Sequence, residues 1–234
     1  MPDDPDITAP PPRGPRSGSR LLGHTTRFIE DTLRSFGPPL LWPYASLEAT
    51  AELFLNASDT VYRGGDVRFG DGKPVVLVPG HLGGDVTLEP LSLWLHAVGY
   101  RPMKANVLIN LDDRMLDPPL AAALCAAAQR IGRKAVMVAF DTGLRAALRV
   151  AAAERDFVSD VIAFGHPDQV PATPGGVTLH IIESAARARL SPDKNVHHVR
   201  GSRALLSVNP AALRILAATL RAIPITLLDP PSQA

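Results

Sequence analysis

A single aspartate stands at the one point of the chain that looks built to present a side chain. In VMVAFDTGLRAAL, residues 136–148, an apolar run ends at Asp141 and passes through Thr142 and Gly143 straight into a helical pattern. A buried strand that turns so tightly into a helix lifts its apical residue to the carboxyl edge of a parallel sheet, where open α/β sheets bind ligands. The helix start beyond the turn offers free N–H groups and the positive end of the helix dipole. An aspartate there has three readings. It is a nucleophile or base, the remnant of a site whose chemistry is gone, or a helix cap accepting backbone N–H bonds.

Other residues that could carry chemistry are sparse. His166 and Asp168 follow the strand-like IAFG and read as loop structure, whereas His197 and His198 sit in one strand and point to opposite faces. Neither an H-x-x-x-H pair nor a carboxylate cluster at metal spacing occurs, and the acids of LDDRMLD read as solvated or capping groups. No metal or cofactor is therefore expected. There is no G-x-G-x-x-G, and VPGHLGGD lacks the Gly-Lys-Ser/Thr of a P-loop. The single Cys125, in the alanine-rich LAAALCAAAQRI, rules out an internal disulfide or a cysteine zinc site and reads as a buried structural thiol.

The elements that must position Asp141 follow from alternating patterns. Short buried-strand runs are expected at 75–79, 102–108, 134–140, 160–165, 177–183 and 196–200. Between them lie the helical patterns LEPLSLWLHAVG, PPLAAALCAAAQRIG and TGLRAALRVAAAE, and NPAALRILAATLRAI closes the series. Strands alternating with helices call for an α/β fold: a mostly parallel sheet of about six strands, joined by right-handed crossovers, with helices on both faces.

The expected organisation has four parts. Residues 1–20, PDDPDITAPPPRGPRSGSR and its neighbours, are a polar, proline-rich and disordered leader with no secretory core. Residues 21–70 form an N-terminal helical layer, 71–224 the sheet domain and 225–234 a tail. With 234 residues, 46% apolar and 20% charged, the chain can bury a full core. A net charge of +1 argues against nucleic acid or an anionic membrane as partner. Apolar stretches break before about 18 residues, so no transmembrane segment is expected and the cytoplasm is the default compartment. Heavy use of Ala, Arg and Pro suits a high-GC bacterial genome.

Four stretches in order resemble the α/β-hydrolase fold family, and more narrowly its lipases and esterases. VVLVPGHLGGD resembles the strand and oxyanion loop, and LEPLSLWLHAVGYRP the helix after it; AFDTG is similar to the nucleophile elbow G-x-S-x-G, and HHVRGSRALLSVNPAALRILAATL to the last strand, its G-S-H and the closing helix. The resemblance covers roughly residues 73–222, with little or no lid between IAFG and VTLHII. It implies backbone oxyanion donors at His81 and Thr142, whose N–H groups survive any change of side chain.

The side chains depart from that pattern. Asp141 occupies the serine position, Ala139 the first elbow glycine and Arg203 the histidine position; Glu183 is the nearest carboxylate to the expected acid. Aspartate nucleophiles exist in this fold, but their ester intermediate needs a base to activate water, and arginine stays protonated. Asp141 and Arg203 are complementary charges at positions that would face each other, and a salt bridge between them is expected.

The resemblance thus implies a lipase/esterase-like protein with a degenerate triad. Its first reading is a pseudoenzyme binding a small hydrophobic or acyl ligand, or a protein partner. The second is an enzyme of unorthodox chemistry, in which Asp141 acts as nucleophile or base with His81 or His198 as helper on an ester, epoxide or similar bond. The third is an isomerase or cyclase that reuses the pocket.

Overall fold

The computed structural model describes residues 59–165, 172–185, 195–201 and 203–228, with Arg203 and Ala204 described in backbone only. The expected leader, residues 21–58 of the helical layer, and the end of the tail lie outside this set. Among the described residues six strands form one sheet, β1 (Pro74–Val78), β2 (Arg101–Lys104), β3 (Ala135–Phe140), β4 (Val158–Phe164), β5 (Thr178–Ser184) and β6 (Val196–Val199). The order is β2-β1-β3-β4-β5-β6, and every pair is parallel. The sheet is open, not closed into a barrel.

Helices α1 (Glu89–Ala97), α2 (Asp117–Ile131), α3 (Gly143–Ala153) and α4 (Pro210–Ala222) cover both faces. The chain runs from β1 outward to β2 and then back past β1 to β3, so right-handed crossovers must place α1 and α2 on opposite faces. The core divides accordingly. On one face Leu91, Trp94 and Leu95 of α1 and Leu213, Leu216 and Leu220 of α4 bury Val75, Leu77, Val136, Val138 and Ile162. On the other, Leu120 and Leu124 of α2 and Leu144, Ala147 and Leu148 of α3 bury Val76, Val78, Met137, Ala139 and Val161. The alternation of β1 and β3 between the two clusters is the strand period of two, buried on both sides.

Three local features tie this frame together. Val61 and Tyr62, in a 3₁₀ turn over Thr60–Arg63, join the α1/α4 core; the Trp94 indole donates to Val61 O at 2.9 Å, and the Tyr62 hydroxyl donates to Val208 O. Asn209 caps α4, its Oδ1 accepting from the N–H groups of Ala211 (3.0 Å) and Ala212 (3.2 Å). At the other end of α4 the buried Lys73 donates its Nζ to Leu220 O (2.7 Å) and Ile223 O (2.6 Å), carbonyls that the helix itself leaves unpaired. Burial pulls the Lys73 ammonium below its ordinary pKa.

β2 is shorter than expected. The apolar run Val107–Leu108–Ile109 does not extend the strand; Asn106 takes a φ of 59°, and the chain swings over the loop that follows β1. There the Asp85 N–H donates to Val107 O and the Leu82 N–H to Asn110 O, both at 2.8 Å, and the Asn110 N–H donates to Gly83 O at 2.7 Å. Backbone bonds to a neighbouring loop replace the ladder bonds that a longer edge strand would have left open. Cys125 is half-buried, not buried, with its Sγ 3.7 Å from Glu154 Oε2. Burial first, and then the Glu154 charge, push the thiol above its ordinary pKa. That favours an inert thiol.

Candidate functional site at the carboxyl edge

The strand order reverses at β1, whose neighbours are β2 on one side and β3 on the other. Such a switch point leaves a crevice beyond the carboxyl ends of the two central strands. The loop after β1 and the turn after β3 form its walls. Asp141 stands at the apex of that turn with φ 46°, a left-handed conformation costly for a residue with a side chain. Its N–H donates to Phe164 O at 2.9 Å and its carbonyl accepts from the Leu144 N–H at 3.1 Å, so both sides of the apex are fixed by backbone bonds.

Glycine is needed at two places around it. A Cβ on Gly143 would lie 2.4 Å from Pro79 O, and one on Gly80 would lie 3.0 Å from Phe140 O and 3.5 Å from the Asp141 Cβ. The turn therefore rests directly on the loop after β1. Ala139, which replaces the first elbow glycine, is fully buried on β3 and fits there without strain. The N-cap of α3 is Thr142, with no side-chain capping bond. The expected cap at Asp141 is thus one residue early, because the apex needs that residue in the left-handed region and outside the helix.

The two backbone groups expected as oxyanion donors, those of His81 and Thr142, donate to no acceptor among the described residues. Gly80 brings His81 next to the apex, and the His81 side chain is exposed. Two buried oxygens nearby also lack a partner among the described residues, Thr142 Oγ1 and Asn110 Oδ1. Asn110 is 2% exposed, and its Nδ2 donates to Pro79 O at 3.2 Å, the same carbonyl that meets Gly143.

Glu183 lies at the end of β5, opposite His198 of β6. Its Oε1 is 3.2 Å from His198 Nδ1. The pair sits at the carboxyl edge, but not with Asp141: β4 separates β3 from β5, and β6 is a further strand away. Three strand spacings put His198 about 14 Å from Asp141, beyond the reach of the two side chains. His197 points to the opposite face from His198, toward His180; burial and then the charges of His180 and His198 lower its pKa. His166, Asp168 and the side chain of Arg203 lie outside the described residues, and with them the expected Asp141–Arg203 pair.

The two loops beside the elbow expose apolar side chains as a rim, interspersed with polar ones such as His81, Thr87, Asp112 and Arg114. Leu82 and Val86 of the first loop are 57% and 58% exposed, and Leu108, Ile109 and Leu111 of the second are 87%, 48% and 61% exposed. Met115, in the 3₁₀ turn that follows, is 72% exposed. The two loops are held together by the backbone bonds already described and by Gly84, where a Cβ would stand 2.0 Å from Leu108 O. Neither this rim nor Asn110 was anticipated from the sequence. The alternation of Leu108–Ile109 and Leu111 around Asn110 in a loop was the available signal.

No protein-family model matches the chain, and no curated protein matches it. Among solved structures it is similar to a protein of Xanthomonas campestris pv. campestris described as a "putative hydrolase of the alpha/beta superfamily". The TM-score is 0.50 and the identity 17%, over 65% of this chain and 99% of that one. With its parallel sheet, helices on both faces and a strained strand–turn–helix at the switch point, the chain has an α/β-hydrolase-like fold. No helix among the described residues is long and apolar enough to cross a membrane.

Proposed function

We propose that this protein is a catalytically degenerate, lipase/esterase-like pseudoenzyme whose sheet domain, residues 71–224, binds an acyl or lipid-like ligand at the carboxyl edge, in the cytoplasm of a bacterium. The observation that carries the reading is the group of exposed apolar side chains on the two loops beside an apex that holds a carboxylate instead of a serine. A small apolar chain laid across Leu82, Leu108 and Leu111 would hide surface now in water, at about 25 cal/mol for each Å². Its polar end would meet Asp141 and the unpartnered oxygens of Thr142 and Asn110. The negative charge of Asp141 beside them repels an anion, which favours a neutral or cationic head group over a carboxylate.

Titration with dodecylamine, dodecanol and dodecanoate tests this directly. The amine and alcohol should bind well ahead of the carboxylate, and Asp141→Asn should narrow the gap. Equal binding of all three, or none of any, sinks the reading.

One observation supports a second reading. The strained apex, the free amides at His81 and Thr142 and the closeness of His81 are what an active site with Asp141 as nucleophile would keep. Short p-nitrophenyl esters separate the two, with wild type compared against Asp141→Ser and Asp141→Ser/Arg203→His. A burst in wild type supports chemistry; a silent wild type beside an active double variant supports loss of it.

A further inference from the structure

We propose that the protein has a second ligand site, at the amino edge of the sheet, that binds a small phosphorylated molecule through Arg101, Arg130 and Arg133. A cavity of about 590 Å³ opens there, on the far side of the sheet from the elbow. Its volume falls in the range of small-molecule sites, about 300–1,000 Å³. The three arginines line it together with His96, and they come from different elements: the first residue of β2, the last turn of α2, the segment after Gly132, and the last turn of α1.

Among the described residues the charges of the lining do not balance. Asp71 is the one carboxylate in the lining, and it is engaged with Lys73: its Oδ1 accepts from the Lys73 N–H at 3.0 Å and its Oδ2 lies 3.8 Å from Lys73 Nζ. Arg130 donates to Met103 Sδ at 2.8 Å, and Arg133 to the backbone carbonyl of Asp71 at 3.0 Å. Among the described residues no carboxylate pairs with any of the three. Elsewhere arginines are treated differently: Arg149 is held between Asp113 and Asp117, and Arg214 between Asp59 and Asp66.

Helix dipoles explain part of this arrangement. His96 and Arg130 lie in the last turns of α1 and α2, where a cation is favoured by the negative helix end. Arg101 and Arg133 lie outside the helices, so the dipoles do not account for them. Guanidinium groups gathered around one cavity repel each other, and an anion with several oxygens relieves that repulsion. Phosphate suits them because the planar fork of arginine binds two of its oxygens at once. Pro102 and Ile131 form an apolar part of the lining against which an organic portion can rest.

The test is calorimetric titration of the full chain with inorganic pyrophosphate at low salt, with citrate as control. The wild type should show saturable binding at one site, stronger than citrate, and unchanged in Arg114→Gln, which alters an exposed arginine away from the cavity. The double variant Arg101→Gln/Arg133→Gln should bind at least tenfold more weakly. Should that variant fail to fold, arginine modification of the wild type by phenylglyoxal gives a separate reading: pyrophosphate should protect Arg101, Arg130 and Arg133 and leave Arg114 reactive. No saturable binding, equal affinity for citrate, or absence of selective protection overturns the proposal. Binding of a duplex oligonucleotide without pyrophosphate saturation overturns it in favour of a general polyanion surface. Ester assays at the elbow do not bear on this site, so the two readings fail separately.

Discussion

The two ends of the sheet solve opposite problems. At the carboxyl edge the chain exposes apolar side chains and leaves buried oxygens without partners, around a carboxylate held in a strained conformation. At the amino edge it spends a buried ammonium on closing α4 and gathers arginines that pair with no carboxylate among the described residues. Exposed apolar surface and backbone strain both oppose folding, and they persist at the carboxyl edge because backbone bonds and glycine contacts hold the two loops and the elbow in place. The amino edge carries its tension as unbalanced charge, in side chains that can move. One end is shaped by backbone, the other by electrostatics.

The largest effect is expected from Gly143→Ala. Its methyl group would collide with the Pro79 carbonyl, so unfolding in urea should show a loss of about 3 kcal/mol, or no folded protein at all. A loss below about 1 kcal/mol would mean that the elbow is not locked against the first loop. Lys73→Met probes the amino edge in the same experiment. It strands the Leu220 and Ile223 carbonyls, and the expected loss is about 2 kcal/mol.

Substitutions in the rim should separate binding from stability. Leu108→Ser/Leu111→Ser should leave urea unfolding within about 0.5 kcal/mol of wild type, since both side chains are already in water, while dodecanol binding falls about tenfold, roughly 1.4 kcal/mol. A parallel loss of stability would make the rim part of the core. A double-mutant cycle on Asp141→Asn and Arg203→Met is expected to give a coupling of about 1 kcal/mol, between the limits for exposed and buried pairs. A coupling near zero would mean that the two charges do not face each other.

The smallest effect is a pH dependence. His197 has a pKa below its ordinary 6.5, so as the pH falls through that value the unfolded chain takes up a proton that the folded chain still refuses. The stability linked to His197 is present above pH 6.5 and declines as the pH falls toward the lowered value. Thermal unfolding should therefore show wild type losing stability relative to His197→Asn as the pH falls below 6.5. Parallel curves would show that the burial of His197 has no energetic weight.

How much of this was legible in the sequence depends on how local each feature is. The elbow was legible because an apolar run, a sharp turn and a helix adjoin in a dozen residues, and the six strands lie within a few residues of their expected ends. β2 was overextended because Val107–Ile109 is apolar, and sequence cannot tell a buried apolar run from one exposed on a loop. Glu183 reads from the sequence as a carboxylate near the site, but its partner His198 depends on the register of β5 against β6, which no local pattern encodes. The arginine cavity was illegible for the same reason, since its residues are drawn from three separate turns of the chain. Asn110 carries no local signal, because a polar residue in a loop ordinarily faces water, and here two loops close over it.

The contact between Gly143 and Pro79 also carries a consequence for the order of events in time. β1 with β2, and β3 with β4, each join neighbours through a single intervening helix, whereas β1 reaches β3 only after β2 and α2 have been traversed. Loop closure costs more entropy for the longer span, and the central pairing is the non-local step. Refolding should thus build two βαβ halves first and dock them second, and the elbow, whose second wall belongs to the other half, comes into being only at the docking step. A Gly143 variant would then form both halves at a normal rate and stall before they join, so a ligand seated at the elbow would also act as a latch between them.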